Sequence, residues 1–227
     1  MELLRFFQRF RFVALVILGL SVIIIAFFYK ALKPTTVLPV YQPAMVDPEL
    51  VDESIQYVKK YHTIAPFSMT NQNGETITAE EYDNAIYVAD FFFTTCPSIC
   101  PIMTKNMYAL QQKLSPYPDV KLLSFSVTPE IDSVAQLKRY AVENKVNDSR
   151  WNLVTGNKKE IYQLARKSYL VVKEDGDGGP HDMIHTENFV LVDTQKRIRG
   201  FYDGTQPAAM DDLFEDIAIL VTEKSPY

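Results

Sequence analysis

Cysteine is nearly absent from this chain: 227 residues contain two. That excludes a disulfide-stapled secreted scaffold, which needs several bridges in place of a large core. Histidine is almost as scarce, with three, so a site built on imidazole has few candidates. A dominant charge is lacking too. Lys and Arg number 23 against 28 Asp and Glu, a net charge of −5, which gives no electrostatic support to a general nucleic-acid role. No internal repeat or low-complexity tract occurs. What remains is an ordinary globular composition, 47% hydrophobic and 22% charged, at a length that suits one membrane anchor and one domain.

One long apolar run is present. Residues 12–29 read FVALVILGLSVIIIAFFY, without a charge, close to the roughly 20 residues that cross a bilayer core. Arg5, Arg9 and Arg11 precede it, so residues 1–11 are expected as a cytoplasmic tail, 12–30 as a transmembrane anchor and the bulk of the chain across the membrane. A cleaved signal peptide is the rival reading. It would usually have a shorter apolar core and a small-x-small cleavage site; FFYKALKP offers a poor one, and no cysteine stands there for lipid attachment. The lack of an Arg-rich presequence favours a single-pass protein of a bacterial inner membrane, with a soluble periplasmic domain, over a mitochondrial one.

Residues 31–61 carry Pro34, Pro39, Pro43 and Pro48. They read as a linker leading into a short helix over 48–61. An extended spacer and a lead-in packed on the domain fit this stretch equally. The domain proper is expected over 62–227. FSMTNQNGETIT predicts a hairpin turning at Asn73-Gly74. AIYVADFFF predicts a buried strand and CPSICPIMTKNMYALQQKL a helix. In that helix Pro97 suits the first turn, while Pro101 would kink or delay it. A strand at KLLSFSV follows, then a helix over 131–144 capped by Asp132 or Ser133. WNLVTG is a strand, and NKKE resembles a capping box that opens a helix to about Ser168. NFVLVD and RIRGFYDG predict paired strands, and 210–223 a final helix. Alternating β and α units imply a mixed sheet with helices on both faces.

Both cysteines, Cys96 and Cys100, fall where the first central strand hands over to its helix, a place where α/β sheets tend to form sites. If the segment is helical, a spacing of four puts both sulfurs on one face, and the helix start favours thiolate. Two readings stay open at this point. The usual redox spacing is C-x-x-C, and here three residues intervene. Two thiolates also suit one soft metal ion, copper or zinc, given a third ligand. His62 reads as a surface residue. His181 and His185 lie in GDGGPHDMIHTENF, and His185, just before a strong strand, is the better placed. Met103 and Met107 follow at helical spacing and read as core. Inert buried thiols form a third, plainer reading.

The segments TTCPSICPIM, SVTPEIDSVAQLKRYA and IHTENFVLVD with RIRGFYDG together resemble the Sco/SenC proteins, over about residues 64–223. The resemblance implies an α/β, thioredoxin-like mixed sheet with flanking helices, preceded by one transmembrane helix. It implies a copper-binding protein that serves the dinuclear copper centre of cytochrome c oxidase. One copper ion per chain, Cu(I) or Cu(II), would be held by Cys96, Cys100 and His185. Implied partners are the copper-site subunit of the oxidase, an upstream copper donor and a thiol reductant. Two positions depart from the family pattern: Thr128 stands where an aspartate is usual, and Ile184 where many members carry aspartate before the histidine. The alternative is a thiol–disulfide oxidoreductase with Cys96 and Cys100 as its redox pair. Such enzymes generally place a proline before the strand that faces the cysteines, and here Thr186 and Glu187 precede NFVLVD. Metal delivery requires no turnover, which makes "enzyme" a doubtful label.

Overall fold

Strand β3, Tyr87–Phe92, shows how the sheet is built. Tyr87, Ala89 and Phe91 join one apolar cluster, whereas Val88 and Phe92 join another. The two-residue period of a strand sends alternate side chains to opposite faces, so a strand buried along its whole length must be covered on both. The computed structural model describes residues 2–32, 37–172, 184 and 186–223. The chain divides into two compact units, with the boundary in the sequence between Val37 and Leu38.

The first unit is helix α1, Glu2–Leu32. It contains Phe10–Tyr29, 20 residues of mean hydropathy 2.9, long and apolar enough to cross a membrane.

In the second unit, β1 (Ser68–Asn71) and β2 (Thr76–Thr78) form the expected hairpin. Its turn is held by Asn71, whose side-chain oxygen accepts from Asn73 N and Glu75 N, and by Gly74 at φ +80°, a left-handed conformation that costs glycine little. After β3 come α2 (Ile99–Lys113), β4 (Lys121–Ser126), α3 (Val134–Glu143) and β5 (Trp151–Thr155). Ser133 caps α3 by accepting from Gln136 N at 3.3 Å; Asp132, the other candidate cap, is turned into the core. Helix α4 (Lys158–Gln163) is capped by Asn157, then widens into a π turn at Leu164–Ser168. Strands β6 (Asn188–Val192) and β7 (Ile198–Asp203) pair as the expected hairpin, and α5 (Pro207–Glu223) ends the described chain.

The seven strands run in the order β2-β1-β5-β4-β3-β6-β7. Strands β3, β4 and β5 are parallel; β6 lies antiparallel to β3, and β1 antiparallel to β5. Helices α2, α3 and α5 cover one face of the sheet, while α4 and the chain before β1 cover the other. The mixed sheet with helices on both faces is what the alternating pattern implies, and its thioredoxin-like form is what the family resemblance implies.

The stretch expected as linker and short helix is different. Residues 48–61 hold a 3-10 turn at Pro48–Leu50 and hydrogen-bonded turns at 53–57 in place of the expected helix, and the chain from Leu38 onward is bonded to the domain. Tyr41 N donates to Ile198 O at 2.9 Å, and Ile64 N to Lys196 O at 2.9 Å. Arg199, 3% exposed, donates to Leu38 O at 2.8 Å, Pro39 O at 3.0 Å, Asp193 Oδ2 at 3.0 Å and Glu223 Oε2 at 2.8 Å. Few periodic apolar residues leave a helix poorly specified over 48–61, and the stretch is held instead by bonds such as those from Gln56 Nε2 to Pro48 O and Val51 O, both 3.0 Å. His62 is likewise not a plain surface residue. It is half-buried, with Nε2 at 2.8 Å from Ser168 O, and burial lowers its pKa.

Candidate metal centre

Cys96 and Cys100 are both free thiols and both buried, at 8% and 3% exposure. They do not share a helix face. Helix α2 starts at Ile99, with Ser98 as its cap residue, so Cys96 lies in the turn ahead of it. The pair closes because Cys96 Sγ accepts from Cys100 N at 3.4 Å; a thiol sulfur satisfies one of the amide groups a helix start leaves without an intrahelical partner. This also places both prolines. Pro97 precedes the helix instead of sitting in its first turn, and Pro101 is the third helical residue. There an N–H would have no carbonyl to meet, so its absence costs nothing and no kink results.

The two thiols differ in acidity. Burial pushes the Cys96 thiol up, but hydrogen bonds from Cys100 and from the Ser98 backbone and hydroxyl outweigh it, and the net shift is downward. Cys100 is pushed up to about 12, mainly by burial and then by its bond to Cys96. Cys96 is therefore the thiol that ionises first and Cys100 the one that keeps its proton.

The loop before Cys96 is anchored by Asp132, which is wholly buried. Its carboxylate accepts from Thr94 N at 3.2 Å, from the Thr94 hydroxyl, from Ser126 Oγ at 2.6 Å and from Thr128 Oγ1 at 3.1 Å. Thr128, the departure from the family pattern, thus supplies a hydroxyl donor to the neighbouring acid. Asp90, in the middle of β3, is also buried. It accepts from the Ser124 hydroxyl, which in turn accepts from Trp151 Nε1 at 2.8 Å. Burial pushes Asp90 up to about 7, and its charge helps raise the Cys100 thiol. In the sequence Asp90 reads only as part of an apolar run; a lone charge inside AIYVADFFF is the signal that singles it out.

Met103 and Met107 are fully buried between α2 and the sheet, the core role expected of them. Among the described residues no three His, Cys, Asp or Glu side chains group as a metal site. His185 and His181 lie outside the described residues. The chain on either side of His185 is defined: Ile184 and Thr186 are buried, at 2% and 5% exposure. Strand β6 pairs with β3 through Ala89↔Val190, and continuing that register brings Glu187 level with Phe92, four residues before Cys96. The sheet therefore brings the entry to β6 to the same end as the dithiol.

Comparison with known proteins accords with this geometry. The chain matches the SCO1/SenC family over residues 56–222. It belongs to that family. A SCO1 protein homolog of Bacillus subtilis is 34% identical over 165 residues, which is 72% of this chain and 85% of that protein. The structure of BsSco, a Sco-family cytochrome c oxidase assembly protein with a disulfide switch, superposes with TM-score 0.62 at 33% identity, covering 71% of this chain and 94% of that one. Arabidopsis thaliana ScoI with copper bound gives TM-score 0.54 at 26% identity, covering 68% and 97%.

Proposed function

We propose that this Sco-family chain is a membrane-anchored copper carrier that delivers copper to the dinuclear copper centre of cytochrome c oxidase, with Cys96, Cys100 and His185 as its copper ligands. The observation that carries the proposal is the buried pair of free thiols at the β3–α2 junction, at the sheet end where the chain enters β6. The donor set fits: two thiolates and an imidazole are soft to borderline ligands that suit copper and leave magnesium and calcium unfavoured. Relatives that bind copper and assist oxidase assembly support the reading.

In this reading α1 anchors the protein in a bacterial inner membrane with the thioredoxin-like domain in the periplasm. Cys96 ionises first and engages the ion; Cys100 then loses its proton as it becomes the second ligand. Asp132 holds the loop ahead of Cys96, so little ordering remains to be done on binding. Transfer proceeds by ligand exchange with the copper-site subunit of the oxidase, after loading from an upstream donor. Oxidation of the two thiols to a disulfide releases two protons and two electrons and abolishes binding, so a thiol reductant must keep the pair open.

The unequal acidity of the thiols favours a second reading, a thiol–disulfide oxidoreductase. Cys96 would be the attacking thiolate and Cys100 the resolving thiol. Copper titration of the reduced full chain in detergent separates the two. The carrier reading expects about one copper per chain, with a thiolate-to-copper absorption band, both lost in His185→Ala and kept in His181→Ala. Loss in His181→Ala alone moves the third ligand to His181. A reduced protein that retains no copper but rapidly reduces a disulfide substrate establishes the second reading instead.

A further inference from the structure

Asn106 is a buried amide on α2, at 8% exposure, six residues beyond Cys100. Its Nδ2 donates to Gly204 O at 2.8 Å, in a bond that spans 98 positions of sequence and is itself buried. Gly204 in turn donates its N–H to Glu187 O at 2.7 Å. That second bond extends the β6–β7 ladder one step past its last pair, Asn188↔Asp203. Glu187 stands two residues after His185. A continuous polar path therefore runs from the helix that carries Cys100 to the segment that carries His185.

Each link is tightly specified. A Cβ at Gly204 would stand 2.6 Å from a Phe189 ring carbon and 2.9 Å from Glu187 O, so only glycine lets the two strands approach this closely. The turn beyond it is fixed by Asp203, whose Oδ1 accepts from Thr205 N at 2.8 Å and Thr205 Oγ1 at 2.6 Å. On the β6 side, Thr186 Oγ1 accepts from Asn188 N at 3.2 Å. By contrast, the face of α2 around Asn106 is apolar, with Met103, Met107 and Leu110 fully buried. Apolar packing is non-directional and tolerates small slides of one element over another. A buried hydrogen bond does not, because its donor and acceptor must stay aligned.

We propose that Asn106 is a positioning residue for the metal centre: through Gly204 it registers the Cys100 helix against the lead-in to β6, the stretch of chain that follows His185. The inference rests on the copper reading above. Thr104 and Gln111, the other buried polar residues of α2, bond toward Tyr140, Lys145 and Asn147, so Asn106 alone of the three ties the helix to the β7 end beside Glu187.

The test is Asn106→Leu in the reduced full-length protein, with Asn106→Asp at pH 8 as a second variant that keeps the shape and loses the donor. Two readouts need no metal: the dithiol–disulfide reduction potential, and amide exchange at Gly204 and Asn188. Two need it: copper affinity and the thiolate-to-copper absorption. The expected result is copper affinity about 10-fold weaker with a shifted absorption band, faster exchange at Gly204 and Asn188, and an unchanged reduction potential. If the wild type binds copper and both variants bind it equally well with the same spectrum, the inference falls and the copper reading stands. If affinity and reduction potential shift together with the thermal midpoint, Asn106 is merely structural and the inference also falls. If the wild type itself binds no copper, the copper reading falls and takes this one with it.

Discussion

The two ends of the sheet hold their carboxylates in opposite ways. At the dithiol end, Asp132 and Asp90 are held by hydroxyl and amide donors alone, from Thr94, Ser126, Thr128 and Ser124. At the far end, Asp193 and Glu223 are held by arginine: Arg199 touches both, and Arg197 adds a contact to Asp193 at 2.7 Å. A buried ion pair is stiff, because separating it strands two charges. Neutral donors around a carboxylate fix a loop without adding a cation beside the thiols, where it would compete with a bound metal for their negative charge. One end of the domain is built to clamp the chain, the other to keep a reactive loop in place with its thiols free.

The largest expected effect comes from breaking the clamp. Arg199→Met leaves Asp193 and Glu223 without their shared partner and should cost about 3–5 kcal/mol in chemical denaturation, the usual loss when one member of a buried pair is removed. The reduction potential of the dithiol, at the other end, should not move. Next comes pH, where the ends should respond with opposite sign. Asp193 is held below the ordinary carboxylate range, against the effect of burial, by its bonds to Arg197 and Arg199. Its contribution is present above the unfolded value and is lost as the solution turns acid through the folded one. Asp90 is raised from 3.8 to about 7. The folded state holds that proton longer than the unfolded state, so stability falls as pH rises between those two values. Asp90→Asn should therefore gain stability over wild type from pH 4 to pH 8, by up to about 4 kcal/mol at about 1.36 kcal/mol per unit. Thermal denaturation across that range checks it, and a pH-independent difference would refute it.

Asp132→Ala should cost about 1–3 kcal/mol through the donors it strands. Unlike Arg199→Met, it should also shift the dithiol–disulfide potential, because Thr94 is two residues from Cys96. The smallest effect is kinetic. In the reduced protein, iodoacetamide should alkylate Cys96 before Cys100, read by mass spectrometry of partly labelled chains. Equal rates would contradict the difference in acidity described for the two thiols.

Local features of the fold were legible in the sequence because their causes are local. The Asn73-Gly74 turn, the caps at Ser133 and Asn157, the apolar run of β3 and the burial of Met103 and Met107 all follow from residues a few positions apart. The cysteine pair was legible too, although its geometry was not. A spacing of four suggested one helix face, yet the helix starts after Cys96 and the sulfur closes onto the Cys100 amide instead. What stayed hidden is long-range and polar. Asp132 looked like a helix cap because its donor Thr94 is 38 residues away. Asn106 meets Gly204 across 98 residues, and Arg199 meets Leu38 across 161. Such bonds obey no period, and each side chain involved has a satisfactory local role, so nothing in the string marks it.

The chain from Leu38 to Ile64 bears on where this protein can be cut. A soluble fragment begun at residue 62, where the sequence suggests the domain starts, would discard the two carbonyls that receive Arg199 and the strand-like contact of Tyr41 with β7. It would leave a guanidinium short of acceptors and bare one edge of the sheet. Such a fragment would report the cost of its own shortening. A cut ahead of Leu38 removes the apolar helix and keeps every one of these bonds.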